Sequence, residues 1–184
     1  MIGSRRYTAA AFLIAFAVCA VDAASKALAV AVLAPHQSVT MLGGSITLHL
    51  YRNPGAAFGI GPSYTVIYAL IEAAVLAAIL HLSRRLRSWP WAIALGLLLG
   101  GAAGNLADRL FRSPGPLRGF VIDWVKLPYF PPTFNLADSA ITIGAALLVL
   151  AGVCGWRLDG GSPLSGPKVQ QATPDRDIPP PLNP

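Results

Sequence analysis

Four long apolar blocks constrain this chain more than any other feature of its sequence. They comprise residues 7–33, 64–82, 91–110 and 136–156. Each block has at least about the twenty residues that an α-helix, rising roughly 1.5 Å per residue, needs to cross a hydrocarbon core of about 30 Å. Only 12% of the residues are charged, whereas soluble domains have roughly a quarter. We therefore predict an all-α polytopic membrane protein with four transmembrane helices.

The four blocks form a single transmembrane domain in this prediction, residues 1–156. Residues 157–184 are rich in Pro and Gly and poor in apolar side chains, so we expect a disordered cytoplasmic tail that buries no core. The first block could be mistaken for a cleavable signal peptide. Its apolar character resumes after Lys26, and the block is long enough to span a bilayer with tilt, so we expect an uncleaved helix.

Basic side chains flank the blocks unevenly. Six of them lie on one side of the predicted membrane (Arg5, Arg6, Arg84, Arg85, Arg87 and Arg157), and four lie on the other (Arg52, Arg112, Arg118 and Lys126). Cytoplasmic loops carry the excess of positive charge, so we predict that both termini are cytoplasmic. Because the basic residues serve membrane orientation, the net charge of +6 does not indicate a nucleic-acid partner.

Two polar connections are then expected on the outer side of the membrane. In the first, Ser45–Tyr51 alternates apolar and polar side chains, which predicts a short β-strand. The turn Asn53-Pro54-Gly55 follows it. In the second, Phe120–Val125 is apolar around the single acid Asp123, which is typical of an amphipathic segment on a membrane surface. We expect a small extracytoplasmic region that contains β-structure.

Acid and amide side chains gather at the predicted outer ends of the third and fourth helices. Asn105 and Asp108 close one apolar block, and Asn135 and Asp138 open the next. Asp123 lies between the two pairs. Each Asn-x-x-Asp pair shares one face of a helix because its members are three residues apart. Asn135 and Asp138 also fit the N-cap and N3 positions of the fourth helix, so a capping role alone would explain that pair.

Two carboxyl groups held close together share a proton, and one can then act as acid while the other acts as base. Such a pair can activate a water molecule against a peptide carbonyl without a metal or cofactor. The chain has no HExxH motif and no P-loop, and Cys19 and Cys154 lie inside apolar blocks. We predict no metal site and no cofactor. The residues alone leave three candidates for the pair: Asp108, Asp123 and Asp138.

Other charges lie inside the apolar blocks. Asp22 and Lys26 are spaced i, i+4, and two interpretations stay open: an internal ion pair, or a support for the site. Glu72 lies near the middle of the second block, where an ionisable group should face the bundle interior or be protonated. Glycines at every fourth position from Gly96 to Gly104 are typical of close helix packing.

Five segments in order resemble the motif series of signal peptidase II, the lipoprotein signal peptidase family. They are Asp22 with Lys26, followed by residues 53–58 (NPGAAF), 104–109 (GNLADR), 121–123 (VID) and 134–139 (FNLADS). The likeness covers about residues 10–155 and keeps the order of the motifs. It implies a membrane aspartic endopeptidase with four transmembrane helices. Such an enzyme cleaves diacylglyceryl-modified prolipoproteins before the lipidated cysteine.

The resemblance also implies roles for individual residues. The catalytic dyad is Asp123 with Asp138, and the supporting or substrate-binding positions are Asn53, Gly55, Asn105, Asp108, Arg109, Asn135, Asp22 and Lys26. The partners are prolipoprotein substrates and the lipid bilayer of a bacterial cell membrane, with the site at the outer face. We expect a monomer.

The alternative function is that of a small proton-coupled membrane transporter subunit. It would use Glu72, Asp22 and the outer aspartates as a proton relay, and would require polar groups spread through the membrane depth. Three of the five acids in this region instead gather at one end: Asp108, Asp123 and Asp138. That distribution favours a site that faces the membrane surface.

Overall fold

The computed structural model describes residues 2–33, 38–55 and 65–161, with side chains from residue 5 onward. Within these ranges the chain forms four α-helices: α1 (Ile2–Val32), α2 (Thr65–Ser83), α3 (Trp89–Phe111) and α4 (Leu136–Val153). All four are long and apolar enough to cross a membrane, as predicted. The rest of the predicted tail, 162–184, lies outside the described residues, as do Ala56–Phe58 of the second motif.

Helix α3 is the central element of the bundle and packs against α1, α2 and α4. Its glycines allow close approach of the neighbouring backbones. A Cβ atom on Gly100 would lie 2.6 Å from the carbonyl oxygen of Ala15 in α1. On the other side, a Cβ atom on Gly101 would lie 2.6 Å from the carbonyl oxygen of Ala137 in α4. The predicted role of these glycines in helix packing is confirmed.

Four strands form one antiparallel sheet in the order β1 (Ser38–Met41), β2 (Ile46–Asn53), β3 (Val121–Leu127) and β4 (Phe130–Phe134). Strand β2 confirms the strand predicted at Ser45–Tyr51. Strands β1 and β4 were not predicted. Strand β4 contains two prolines, and it tolerates them because an edge strand has one side that needs no backbone hydrogen bonds.

The segment expected to lie on the membrane as an amphipathic stretch, Phe120–Val125, belongs instead to an inner strand of the sheet. Strand β3 is paired with β2 on one side and with β4 on the other. Its β-branched and aromatic side chains favour that conformation, and β2 and β4 supply hydrogen-bond partners for its backbone. In the β2–β3 register Tyr51 is opposite Asp123 and Asn53 is opposite Val121. The end of β2 therefore lies beside the acid of β3.

Candidate active site

Asp123 and Asp138 line the same cavity, which has a volume of about 660 Å³. Asp123 belongs to β3, and Asp138 lies in the first turn of α4. Two amide side chains connect them. Asn135 Nδ2 donates to Asp123 Oδ1 at 2.7 Å and to Asn105 Oδ1 at 3.2 Å. Asn105 Nδ2 donates to Asp138 Oδ1 at 2.9 Å, so the two carboxyl groups are the ends of one continuous chain of hydrogen bonds.

A capping box begins helix α4, as the sequence predicted. The backbone N–H of Asp138 donates to Asn135 Oδ1 at 2.9 Å, and the backbone N–H of Asn135 donates to Asp138 Oδ2 at 3.1 Å. One oxygen of Asp138 is thereby committed to the cap, while the other accepts from Asn105. Capping and participation in the site are therefore compatible roles for this pair.

Asp123 is an almost completely buried acid. It is 1% exposed, and its second oxygen, Oδ2, accepts a hydrogen bond from Asn53 Nδ2 at 2.8 Å. Burial, and secondly the negative charge of Asp138, raise the pKa of Asp123 to about 7. The hydrogen bonds from Asn53 and Asn135 oppose that shift. Asp123 can therefore exchange a proton close to neutral pH.

Lys26 is fully buried and binds three partners at once. Its Nζ lies 2.7 Å from Asp22 Oδ2 and 3.0 Å from Asp108 Oδ2, and it donates to Asn105 Oδ1 at 2.9 Å. Asp22 Oδ1 in turn accepts from the backbone N–H of Ala137 at 2.9 Å. The ion pair between Asp22 and Lys26 is confirmed. The same two side chains also contact α3 and the start of α4, so the two interpretations are compatible.

Asp108 uses both of its oxygens to hold other elements. Oδ1 pairs with Arg112, and Oδ2 pairs with Lys26 and accepts from the backbone N–H of Ile122 at 3.1 Å. Ile122 immediately precedes Asp123 in β3, so Asp108 fixes the strand that carries that acid. Of the three acids that the sequence left as candidates for the pair, Asp123 and Asp138 line the cavity.

Arg109 joins helix α2 to the turn after β2. Its Nη2 donates to the carbonyl oxygen of Gly55 at 3.0 Å, and its Nε donates to both carboxyl oxygens of Glu72 at 3.1 Å. The ring of Tyr68 lies 5.6 Å from the guanidinium carbon, within the range of a cation–π contact. Sequence reasoning gave Glu72 no partner; the only hint was that a lone acid in an apolar helix requires one.

The comparisons with known proteins identify the family. The family model described as "Signal peptidase (SPase) II" matches residues 14–154. This chain belongs to the signal peptidase II family. The resemblance found in its motifs is thereby confirmed, and the chain is a bacterial multi-pass membrane peptidase.

Relatives within signal peptidase II cover most of the chain. The lipoprotein signal peptidase of Streptomyces coelicolor is 46% identical over 85% of this chain and 76% of its own length. That of Mycobacterium avium is 45% identical over 79% of this chain and 80% of its own length. A solved structure described as a bacterial membrane enzyme shares the fold with a TM-score of 0.69 and 28% identity, and the match covers 78% of this chain and 87% of that chain.

All ten site residues that the resemblance to signal peptidase II indicated belong to one connected network of hydrogen bonds and ion pairs. Lys26 organises the branch that contains Asp22 and Asp108. Arg109 organises the branch that contains Gly55 and Asn53. The two branches meet at Asp123 and Asp138 through the amides of Asn105 and Asn135.

Proposed function

We propose that this chain is an aspartic endopeptidase that removes the signal peptide from diacylglyceryl-modified prolipoproteins and cuts before the lipidated cysteine. Membership of signal peptidase II and relatives named lipoprotein signal peptidase support the substrate class. The observation that carries the aspartic mechanism is the placement of Asp123 and Asp138 at one cavity, joined through two amides.

In the proposed reaction the two acids share one proton. The ionised carboxylate takes a proton from a water molecule, whose oxygen attacks the scissile carbonyl carbon, while the protonated acid donates to the carbonyl oxygen. When the C–N bond breaks, the acid that received the water proton delivers it to the leaving nitrogen. The other acid, now ionised, takes a proton from a hydroxyl group of the intermediate as the C=O bond re-forms, which restores the shared proton of the pair. A pKa of about 7 for Asp123 supports its role as the protonated member of the pair near neutral pH. No metal or cofactor is required by these steps.

The cavity suits a segment of apolar peptide. Its wall combines the two acids with apolar side chains from α2, the sheet and α4, namely Ile71, Leu127, Phe130, Phe134 and Ile141. A mostly apolar wall with a few polar groups is typical of a site that binds an apolar ligand and orients it for reaction. The hydrophobic part of a signal peptide has that character.

We also propose that the sheet and the dyad lie at the outer face of the bacterial cell membrane, with both termini in the cytoplasm. The uneven distribution of arginines supports that orientation. A single domain, residues 1–156, would suffice for cleavage without residues 157–184. We also propose that the chain acts as a monomer.

The test is cleavage in a purified system. The detergent-solubilised chain is incubated with a diacylglyceryl-modified prolipoprotein and, in parallel, with the same precursor lacking the lipid. We expect a shortened product whose first residue is the lipidated cysteine, identified by mass spectrometry, from the lipidated precursor alone. A folded chain that leaves this precursor intact contradicts the proposal. Proton transport by vesicles containing the chain would instead favour the transporter alternative.

A further inference from the structure

Glu72 forms an ion pair that none of the proposed chemical steps uses. Its side chain is 18% exposed and that of its partner Arg109 is 5% exposed. Both oxygens of Glu72 accept from Arg109 Nε at 3.1 Å. An ion pair inside a membrane protein has a large desolvation cost, and a well-packed apolar pair is often equally stable. The stability of the bundle therefore does not by itself explain this pair.

A continuous path of hydrogen bonds leads from Glu72 to Asp123. Arg109 Nη2 donates to the carbonyl oxygen of Gly55 at 3.0 Å. The backbone N–H of Gly55 donates to Asn53 Oδ1 at 2.9 Å. Asn53 Nδ2 then donates to Asp123 Oδ2 at 2.8 Å. Four residues of α2, α3 and the end of β2 thus lead, contact by contact, to one acid of the proposed dyad.

The path decides which end of the Asn53 amide faces Asp123. An amide side chain presents a donor at one end and an acceptor at the other. Asn53 can direct its donor at the acid because its oxygen is already bound to the backbone N–H of Gly55. The Gly55 residue is held on its other side by Arg109. A second bond from α2, from Thr65 Oγ1 to the carbonyl oxygen of Pro54 at 2.6 Å, holds the same turn.

Glu72 completes this arrangement by fixing Arg109. A guanidinium on a flexible side chain keeps one orientation when several of its edges are bound. Glu72 occupies the Nε edge, Gly55 binds Nη2, and the Tyr68 ring lies beside the group. Without the carboxylate, one of these three constraints is lost and a buried charge lacks its counter-ion.

We propose that Glu72 is a positioning residue for peptide cleavage, which holds Arg109 against the turn at Gly55 and, through Asn53, keeps the Asp123 carboxyl group aligned for proton transfer. The inference rests on the proposed function, in which Asp123 is one of the two reacting acids. Because Glu72 acts on the alignment of a reacting group, its loss lowers kcat more than it raises KM.

The first experiment measures kcat and KM for the lipidated precursor. Glu72→Ala lowers kcat by about ten- to a hundredfold, the range expected when a reacting group is displaced by about 1 Å, while KM changes by less than about threefold. Glu72→Gln keeps an acceptor for Arg109 Nε, so its kcat falls less than that of Glu72→Ala. Leu70→Ala is the matched control, since Leu70 is an exposed apolar residue of the same helix, and it retains the wild-type rate. A wild-type kcat in folded Glu72→Ala overturns the inference.

The second experiment is a double-mutant cycle between Glu72 and Asn53. Because both residues act along one path, Glu72→Ala combined with Asn53→Ala is about as slow as Asn53→Ala alone. If the losses in kcat of the two single variants multiply in the double variant, the inference is overturned and the proposed function stays intact. If Glu72→Ala does not fold, the cycle is measured with Glu72→Gln and the same criterion. A wild-type chain that does not cleave overturns the proposed function itself, and this inference with it.

Discussion

Asn135 Nδ2 lies 2.7 Å from Asp123 Oδ1, so the residue that caps helix α4 also binds the acid carried by strand β3. The oxygen of the same amide accepts the backbone N–H of Asp138 at 2.9 Å. One side chain, that of Asn135, therefore both caps helix α4 and holds strand β3 against the N-terminal end of that helix. Substitutions at this junction should affect chemistry and folding to different degrees, and the following predictions separate the two.

The first prediction concerns the dyad. Asp123→Asn and Asp138→Asn should each reduce cleavage by at least about 10³-fold, within the range that general acid–base groups contribute, while the protein still inserts and folds. Asp108→Asn should leave a measurable residual rate and a lower melting temperature, because Asp108 pairs with Lys26 and Arg112. Cleavage assays and thermal unfolding in detergent measure both effects. Near-normal cleavage by Asp123→Asn, with none by folded Asp108→Asn, would replace Asp123 with Asp108 in the dyad.

The second prediction concerns the pH dependence of the rate. The pKa of Asp123 is raised to about 7 by burial and by the charge of Asp138. The proposed mechanism needs one protonated acid, so kcat/KM should fall as the pH rises above about 7. A pH–rate profile that stays flat from pH 6 to about 9 would argue against Asp123 as the proton donor.

The same shift predicts a change in stability. The ordinary pKa of 3.8 applies to Asp123 in the unfolded chain and a pKa of about 7 applies in the folded one. The stability that protonation contributes is fully present below pH 3.8 and is lost as the pH rises through about 7. The melting temperature of the wild type should therefore fall relative to that of Asp123→Asn across this interval. Parallel curves for the two proteins would contradict the shift.

The third prediction concerns Lys26. Lys26→Ala removes the cation that pairs with Asp22 and Asp108. These two buried carboxylates then lose the positive charge of Lys26. Loss of one partner of a buried ion pair costs about 3–5 kcal/mol, so the melting temperature should drop sharply. Lys126→Ala is the control, because Lys126 is exposed in β3. Equal stability of the two variants would show that the Lys26 contacts contribute little.

The fourth prediction concerns the contact between α3 and α4. A Cβ atom on Gly101 would lie 2.6 Å from the carbonyl oxygen of Ala137, so Gly101→Ala must separate the two helices. We expect a loss of about 1–3 kcal/mol, as for other overpacked sites. Cleavage should also slow, because Asn105 and Asp138 come from these two helices. Gly152→Ala is the control, since a Cβ atom there meets no atom within 4 Å.

The fifth prediction concerns topology. A reporter that is active only in the cytoplasm should be active when fused after Pro184, and a cysteine introduced at Tyr129 should react with a membrane-impermeant reagent from outside. Tyr129 is suited to this because it is 100% exposed. A second reporter, active only outside the cytoplasm, is fused at the same position as the control and should be inactive there. Inverted results at both positions would reverse the proposed orientation.

The helices could be predicted from the sequence because their main requirement is a local one. A run of about twenty apolar residues is visible without knowledge of any neighbour, and the capping pair Asn135 and Asp138 is equally local. Strand β3 was misjudged because one of its two partners, β2, comes from residues far away along the chain. Strand β4 was missed because the two prolines in FPPTF argue against a strand unless it lies at an edge.

The site likewise has features that the local sequence indicates and contacts that depend on the packing of distant elements. The motifs named the residues, yet their spacing could not indicate which atoms meet. The contact of Lys26 with Asp108 depends on the rotation of α1 against α3. The contact between Glu72 and Arg109 depends in the same way on how α2 faces α3. Such rotations are fixed by packing across the whole bundle, and no short stretch of sequence contains them.

The central position of α3 has a consequence for how this chain can vary over evolutionary time. In an 18-residue apolar stretch of α3, 56% of the residues are buried, against 17% in the corresponding stretch of α2. Most positions of α2 need only remain apolar, so substitutions among Leu, Ile, Val and Ala can accumulate there with little effect. Helix α3 contacts three helices and supplies Asn105, Asp108 and Arg109 to the network. We therefore expect substitutions that keep a side chain apolar to be tolerated more readily on the exposed positions of α2 than along α3.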